Sequence, residues 1–163
     1  MQPSLLMERI FHAYQPMAAQ RNIELKLDAP LSPSILADEG RMLQVLKNLV
    51  DNALRYTPDD GWIELSVKYD GQVHLRVADN GFGIVSEDLP FIFDRFYRAD
   101  KARETSAGHT GLGLSICKAL VTAQGGSITA ESKGRDQGTA MVISFAAATR
   151  QAIEFPPYRF LCL

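Results

Sequence analysis

Cysteine is scarce in this 163-residue chain: Cys117 and Cys162 lie far apart and suggest neither a disulfide framework nor a zinc site. A reducing, cytoplasmic setting is expected. No apolar run approaches the length of a membrane span, and the N-terminus lacks a signal-peptide pattern. An excess of positive charge is missing too. Seventeen Lys+Arg against nineteen Asp+Glu give a formal charge of −2, so there is no bulk electrostatic reason to bind nucleic acid or an anionic membrane. Two common nucleotide motifs are absent as well. There is no Gly-x4-Gly-Lys-Ser/Thr loop, and the third glycine position of a dinucleotide fingerprint is taken by Ile116. The His-Arg-Asp and Asp-Phe-Gly pair of serine/threonine kinases is likewise missing. What is present, 46% apolar and 22% charged residues without repeats, is ordinary for a globular chain and excludes disordered and collagen-like classes. The length suits one core, read as a domain over 1–148 with a tail over 149–163.

Periodicity supplies the elements. Leu6, Ile10, Phe11, Tyr14, Met17 and Ala18 recur at helical spacing between Leu5 and Arg21, with Pro16 expected to kink or break the helix. Ile23 to Leu27 alternates as a half-buried strand. Glu39 to Tyr56 reads as a long helix with a broad apolar stripe and Asp38 as its N-cap. Trp62–Tyr69 and Gln72–Ala78 form a hairpin across Asp70-Gly71. A short helical piece is expected over Phe91–Tyr97, then a polar loop over Ala99–Thr110 and a helix over Gly111–Ala123 that stops at Gln124-Gly125-Gly126. Strands Ser127–Ser132 and Thr139–Phe145 complete an α+β two-layer sandwich. Its mixed, mostly antiparallel sheet has about five strands, with three main helices on one face.

Three places carry chemistry. Asn48 and Asn52, four apart on one helix face among leucines, read either as helix surface or a satisfied amide bridge, or as hard oxygen donors for a divalent cation shared with phosphates. Arg55 adds a phosphate contact from the same edge. Asp79 before Gly81 and Gly83 reads either as a capped glycine turn or as a carboxylate facing an exocyclic amino group, with glycines admitting a flat ligand. Gly108, Gly111 and Gly113 precede a helix whose N–H groups and dipole suit an anion.

In their order these elements resemble the ATP-binding catalytic domain of sensor histidine kinases, of the gyrase/chaperone/histidine-kinase superfamily with the Bergerat fold. Asn48-Leu49-Val50-Asp51-Asn52-Ala53-Leu54-Arg55-Tyr56-Thr57-Pro58 looks like the N box, and Asp79-Asn80-Gly81-Phe82-Gly83-Ile84 like the first glycine box. Phe93-Asp94-Arg95-Phe96-Tyr97-Arg98 is similar to the F box, Gly111-Leu112-Gly113-Leu114 to the second glycine box, and Gly138-Thr139 to the last.

The resemblance implies that Asp79 holds the adenine amino group, with Gly81, Gly83, Ile84 and Thr139 around it. Asn52, assisted by Asn48, would bind Mg²⁺, while Arg55 and Tyr56 contact phosphate or nucleotide. Phe93 and Phe96 would anchor an ATP lid that includes Gly108, His109 and Thr110 and leads to Gly111, Leu112, Gly113 and Leu114. Arg98 is the candidate for the terminal phosphates, and His109 reads either as a solvated loop residue or as a phosphate contact. ATPase members carry a general-base glutamate four residues before the metal-binding asparagine; here that position is Asn48, which cannot take a proton from water. Transfer to a protein acceptor is therefore expected over hydrolysis.

None of the three histidines suits the acceptor. His12 reads as a surface residue, His74 as a strand position and His109 as part of the lid. The acceptor is then expected on a separate dimerisation domain of the same kinase, with a response regulator downstream and the parent kinase anchored in the inner membrane. Residues before Leu25 resemble the short connection that follows the dimerisation helices. A non-catalytic nucleotide-binding regulator and a serine kinase of the anti-sigma type are the alternatives. The tail containing Phe155-Pro156-Pro157-Tyr158 departs from the family pattern and has no assigned role.

Overall fold

The computed structural model describes residues 1–97 and 111–148. Nine segments of secondary structure follow in the order α1 (Pro3–Gln20), β1 (Glu24–Asp28), α2 (Glu39–Tyr56), β2 (Trp62–Tyr69), β3 (Gln72–Asp79), a single 3-10 turn (Leu89–Phe91), α3 (Gly113–Thr122), β4 (Ser127–Glu131) and β5 (Thr139–Ala146). The five strands make one sheet in the order β1-β2-β3-β5-β4, in which β1 runs parallel to β2 and every other pair is antiparallel.

Alternation decides which face is covered. Ile63, Leu65 and Val67 of β2, Val73, Leu75 and Val77 of β3, and Met141, Ile143 and Phe145 of β5 are all buried. They join α1, α2 and α3 in one core. The opposite face carries Glu64, Lys68, His74, Arg76 and Ser144, tied in places by cross-strand contacts such as His74 to Ser144 (2.8 Å) and Arg76 to Glu64 (3.3 Å). Asp79 falls on the same parity as Leu75 and Val77, so the covered face delivers it, at the end of its strand, to the edge of the helix layer.

The long α2 matches its sequence pattern. Met42, Val45, Leu46, Leu49, Val50 and Ala53 are buried, and the Asp38 carboxylate accepts the Arg41 N–H at 2.7 Å as an N-cap. Its polar face therefore holds Asn48 and Asn52 at the boundary between core and solvent.

Four readings change. Helix α1 continues unbroken through Pro16, because Ile10 and Tyr14 before it and Ala18 after it are buried against the same core. That core packing outweighs the one backbone bond that proline removes. For the same reason α1 is no mere connection: Leu6, Met7 and Ile10 are at most 1% exposed, making it an integral layer of the domain. Residues 92–97 form turns rather than a helix, with Phe96 at φ +64°. Helix α3 begins at Gly113 instead of Gly111, whose φ of +68° lies outside helical geometry. Its other end behaves as read: Gly125 has φ +79°, and Gly126 donates back to the Val121 carbonyl at 3.1 Å. Among the described residues, no helix is long and apolar enough to cross a membrane.

Candidate functional site

The site grows from the end of β3. One oxygen of Asp79, Oδ1, accepts the Gly81 N–H at 2.8 Å and the Thr139 N–H at 3.3 Å. Oδ2 has no partner among the described residues. A carboxylate pinned by one oxygen presents the other as a directed acceptor. Burial raises the pKa of Asp79 above the ordinary 3.8, and the two N–H donors pull it only partly back.

Around it, glycines are required by space as well as by φ. A Cβ on Gly81 would stand 2.2 Å from the Tyr56 carbonyl oxygen, which also accepts the Phe82 N–H at 3.0 Å. The glycine turn thus lies directly on the C-terminal end of α2. A Cβ on Gly83 would meet the Gly134 carbonyl oxygen at 2.0 Å, and one on Gly138 the Asp79 carbonyl oxygen at the same distance. Gly138 also donates to the Gly81 carbonyl at 3.0 Å. Since its φ is +71°, Gly138→Ala combines a clash with a strained backbone. The substitution should cost about 2–4 kcal/mol, measured by denaturant unfolding. A loss below ~1 kcal/mol would show that this junction yields more readily than its contacts imply.

On the helix side, Asn48 and Asn52 are both half-buried, and neither carboxamide makes a hydrogen bond among the described residues. Gly113 sits against Asn48: a Cβ there would approach Nδ2 to 2.8 Å and Oδ1 to 2.9 Å. The start of α3 and the middle of α2 therefore meet only because position 113 has no side chain. Two idle amide oxygens on one helix face suit a hard divalent cation. No group of three or more His, Cys, Asp or Glu among the described residues could hold a metal. Such an ion would rest on amide oxygens and on ligand phosphates rather than in a carboxylate cage. Arg55 is half-buried without an acidic partner among the described residues, and Tyr56 is exposed at the same helix end.

At the third side, the Phe93 ring packs partly on the core, with the Lys118 ammonium 5.7 Å from its centroid. Phe96 exposes its ring, and its N–H donates to the Gly111 carbonyl at 3.1 Å. Backbone pairing, rather than the aromatic side chain, joins the residues that bracket 98–110. The Leu112 carbonyl, just before α3, accepts the Ser115 hydroxyl and the Ile116 N–H, both at 2.9 Å, while Leu114 packs against the core. Ile84 is partly buried below the glycine turn. Arg98, Gly108, His109 and Thr110 lie outside the described residues. A separate shallow groove of about 330 Å³ runs along α2 between Gly40 and Asp51 and touches this site only at Asn48.

Sequence reasoning missed Ser132. Its hydroxyl accepts the Ile84 N–H at 2.9 Å and donates to the Gly138 carbonyl at 2.7 Å, tying the two glycine segments together. A lone serine after a strand gives no signal of that role. It also missed Arg21 and Tyr14, which bind the Leu54 carbonyl and the Asp51 carboxylate of α2 from segments with no motif.

Known proteins share the sequence pattern and the fold. The family model "Histidine kinase-, DNA gyrase B-, and HSP90-like ATPase" matches residues 37–149. The sensor protein CiaH of Streptococcus pneumoniae serotype 4 is 36% identical over 148 residues, covering 90% of this chain and 33% of CiaH. The sensor histidine kinase WalK of Bacillus subtilis is 44% identical over 98 residues, covering 58% of this chain and 16% of WalK. This chain thus spans a third or less of either relative. Among solved structures, full-length ShkA in complex with AMPPNP superposes with a TM-score of 0.76 at 32% identity, covering 90% of this chain and 30% of ShkA. The catalytic domain of histidine kinase ThkA gives 0.73 at 28% identity, covering 87% and 90%. The chain belongs to the histidine kinase-, DNA gyrase B- and HSP90-like ATPase family, has the Bergerat fold, and counts sensor histidine kinases among its relatives.

Proposed function

We propose that residues 1–148 form the catalytic domain of a two-component sensor kinase, which binds Mg-ATP and donates the γ-phosphoryl group to a histidine on a separate dimerisation domain. The observation that carries the reading is Asp79, with Oδ1 locked by two backbone N–H groups and Oδ2 without a partner among the described residues, beside glycines that admit a flat ring. Asp79 would accept the adenine amino group, and Gly81, Gly83, Ile84 and Thr139 would shape the wall around the base. Asn52 and Asn48 would hold Mg²⁺, whose chemistry there is to neutralise phosphate charge. Arg55 and Tyr56 would meet the nucleotide from the end of α2, and Arg98 the terminal phosphate. The glycine before α3 presents backbone N–H groups to the phosphates without a side chain in the way.

Asn48 supports transfer over hydrolysis, since an amide has no proton-accepting capacity toward water. Positioning of an acceptor then governs the rate, and the domain by itself should turn over slowly. The acceptor would be an imidazole on the dimerisation domain, the next recipient a response-regulator aspartate, and the site of action the cytoplasm beneath an anchored parent. Radiolabelled ATP incubated with the domain and the parent's dimerisation domain should give acid-labile, alkali-stable phosphate on the latter. Acid-stable phosphate would assign a serine acceptor instead, and rapid release of inorganic phosphate without a labelled protein would assign hydrolysis.

A further inference from the structure

Arg21 lies just beyond α1, outside the segment 37–149 matched by the family model, and far in sequence from every residue of the site. Its guanidinium nonetheless closes over the C-terminal end of α2. Nη1 donates to the Leu54 carbonyl, Nη2 to the Thr57 carbonyl at 2.8 Å, and Nε to Asp59 Oδ1 at 2.8 Å. The last carbonyls of a helix have no intrahelical donor, and a cation there also complements the dipole. The following loop is clasped from the same place: Asn22 Nδ2 donates to Asp60 Oδ1, and Asp60 donates its N–H to the Arg21 carbonyl at 3.3 Å.

Between the two carbonyls that Arg21 holds stands the Tyr56 carbonyl. That oxygen accepts the Phe82 N–H and abuts Gly81, whose own N–H holds Asp79 Oδ1. Three contacts thus run in series: Arg21 to the end of α2, the end of α2 to the glycine turn, and the glycine turn to the carboxylate. The Asp59 ion pair is largely exposed and contributes little; the carbonyl bonds are the part that sets position.

We infer that Arg21 is a positioning residue for the base-recognising wall. By fixing the end of α2 it fixes the orientation of Asp79, and so governs discrimination between nucleobases. The inference rests on the proposed role of Asp79 toward an exocyclic amino group. An amino group at that place separates adenine from guanine, which carries a carbonyl there. The wild-type chain should therefore bind ATP more tightly than GTP.

The test is calorimetric titration of ATP and GTP, each with Mg²⁺, into wild type, Arg21→Met and Arg21→Lys, at a temperature where each is folded. Arg21→Met should lower the ATP-over-GTP preference about tenfold, the size expected for one misaligned charge-assisted hydrogen bond. Arg21→Lys, which keeps a donor for one carbonyl, should recover part of it. A purely structural role would lower the melting temperature and leave the preference unchanged, and that result overturns the inference. If Arg21→Met does not fold, the preference of Arg21→Lys decides alone: unchanged preference overturns the inference, reduced preference supports it. A folded wild type with no preference for ATP overturns the reading of Asp79 itself, and this arm separates the two failures.

Discussion

Asp79→Asn should abolish most ATP affinity while leaving the fold at least as stable as wild type at neutral pH. The two halves of this expectation have one origin. An asparagine keeps an oxygen for the Gly81 and Thr139 N–H groups, so the turn retains its internal partners. Its other arm is an N–H₂ donor, which would face a donor on the ligand. The loss of affinity should be about 10- to 100-fold, as for a hydrogen bond to a charged group. The stability half follows from the raised pKa. Burial lifts the folded-state value above the unfolded one near 3.8, so this group contributes stability that is fully present below the unfolded value. That contribution is lost as pH rises through the folded value, and at neutral pH the buried charge is a liability. Removing the charge removes the liability. Thermal unfolding at pH 7 alongside calorimetric ATP titration checks both halves. Asp79→Asn that melts well below wild type would mean that the carboxylate is a structural cap, and unchanged ATP binding would reject the adenine assignment. Asp79→Ala should lose ATP similarly and also free the Gly81 and Thr139 donors, so it should be the less stable of the two.

The second large effect concerns Asn52. Its carboxamide makes no hydrogen bond among the described residues, so removing it should leave the fold nearly untouched. Asn52→Ala should reduce affinity for Mg-ATP to about the level seen for ATP with a chelator present, a loss of roughly tenfold or more for a hard oxygen ligand. Binding measured without Mg²⁺ should be spared. Equal losses with and without Mg²⁺ would make Asn52 a structural residue, and the Asn48–Gly113 contact would then be packing alone.

Much of this is legible in the sequence, for specific reasons. Helix α2 has a buried stripe of six residues and an N-cap aspartate, so local propensity and tertiary packing agree there. The hairpin was legible because Gly71 supplies its positive φ, and β2 ends at Tyr69 and β3 starts at Gln72 on either side of Asp70-Gly71. Failures occur where distant contacts override local signals. Pro16 reads as a kink or a break, and packing by Tyr14 and Ala18 carries α1 past it without a break. Phe91–Tyr97 reads as a short helical piece, but the chain turns at Phe96 to meet Gly111, a partner far along the sequence. At the site, the ligand-facing residues announce themselves as asparagines among leucines and an aspartate before glycines. Supporting residues such as Ser132 and Arg21 do not. Each binds backbone groups 33 to 48 residues away, and a hydroxyl or guanidinium bound to such a group leaves no pattern in composition or spacing.

The most direct measurement is a calorimetric titration of ATP into the folded chain with Mg²⁺ and with a chelator, repeated on Asp79→Asn. One saturable site per chain is expected, tighter with Mg²⁺ than without, and weakened about 10- to 100-fold in the variant. A folded chain that binds no ATP, or binds it equally with and without Mg²⁺ and with either residue at position 79, would contradict it.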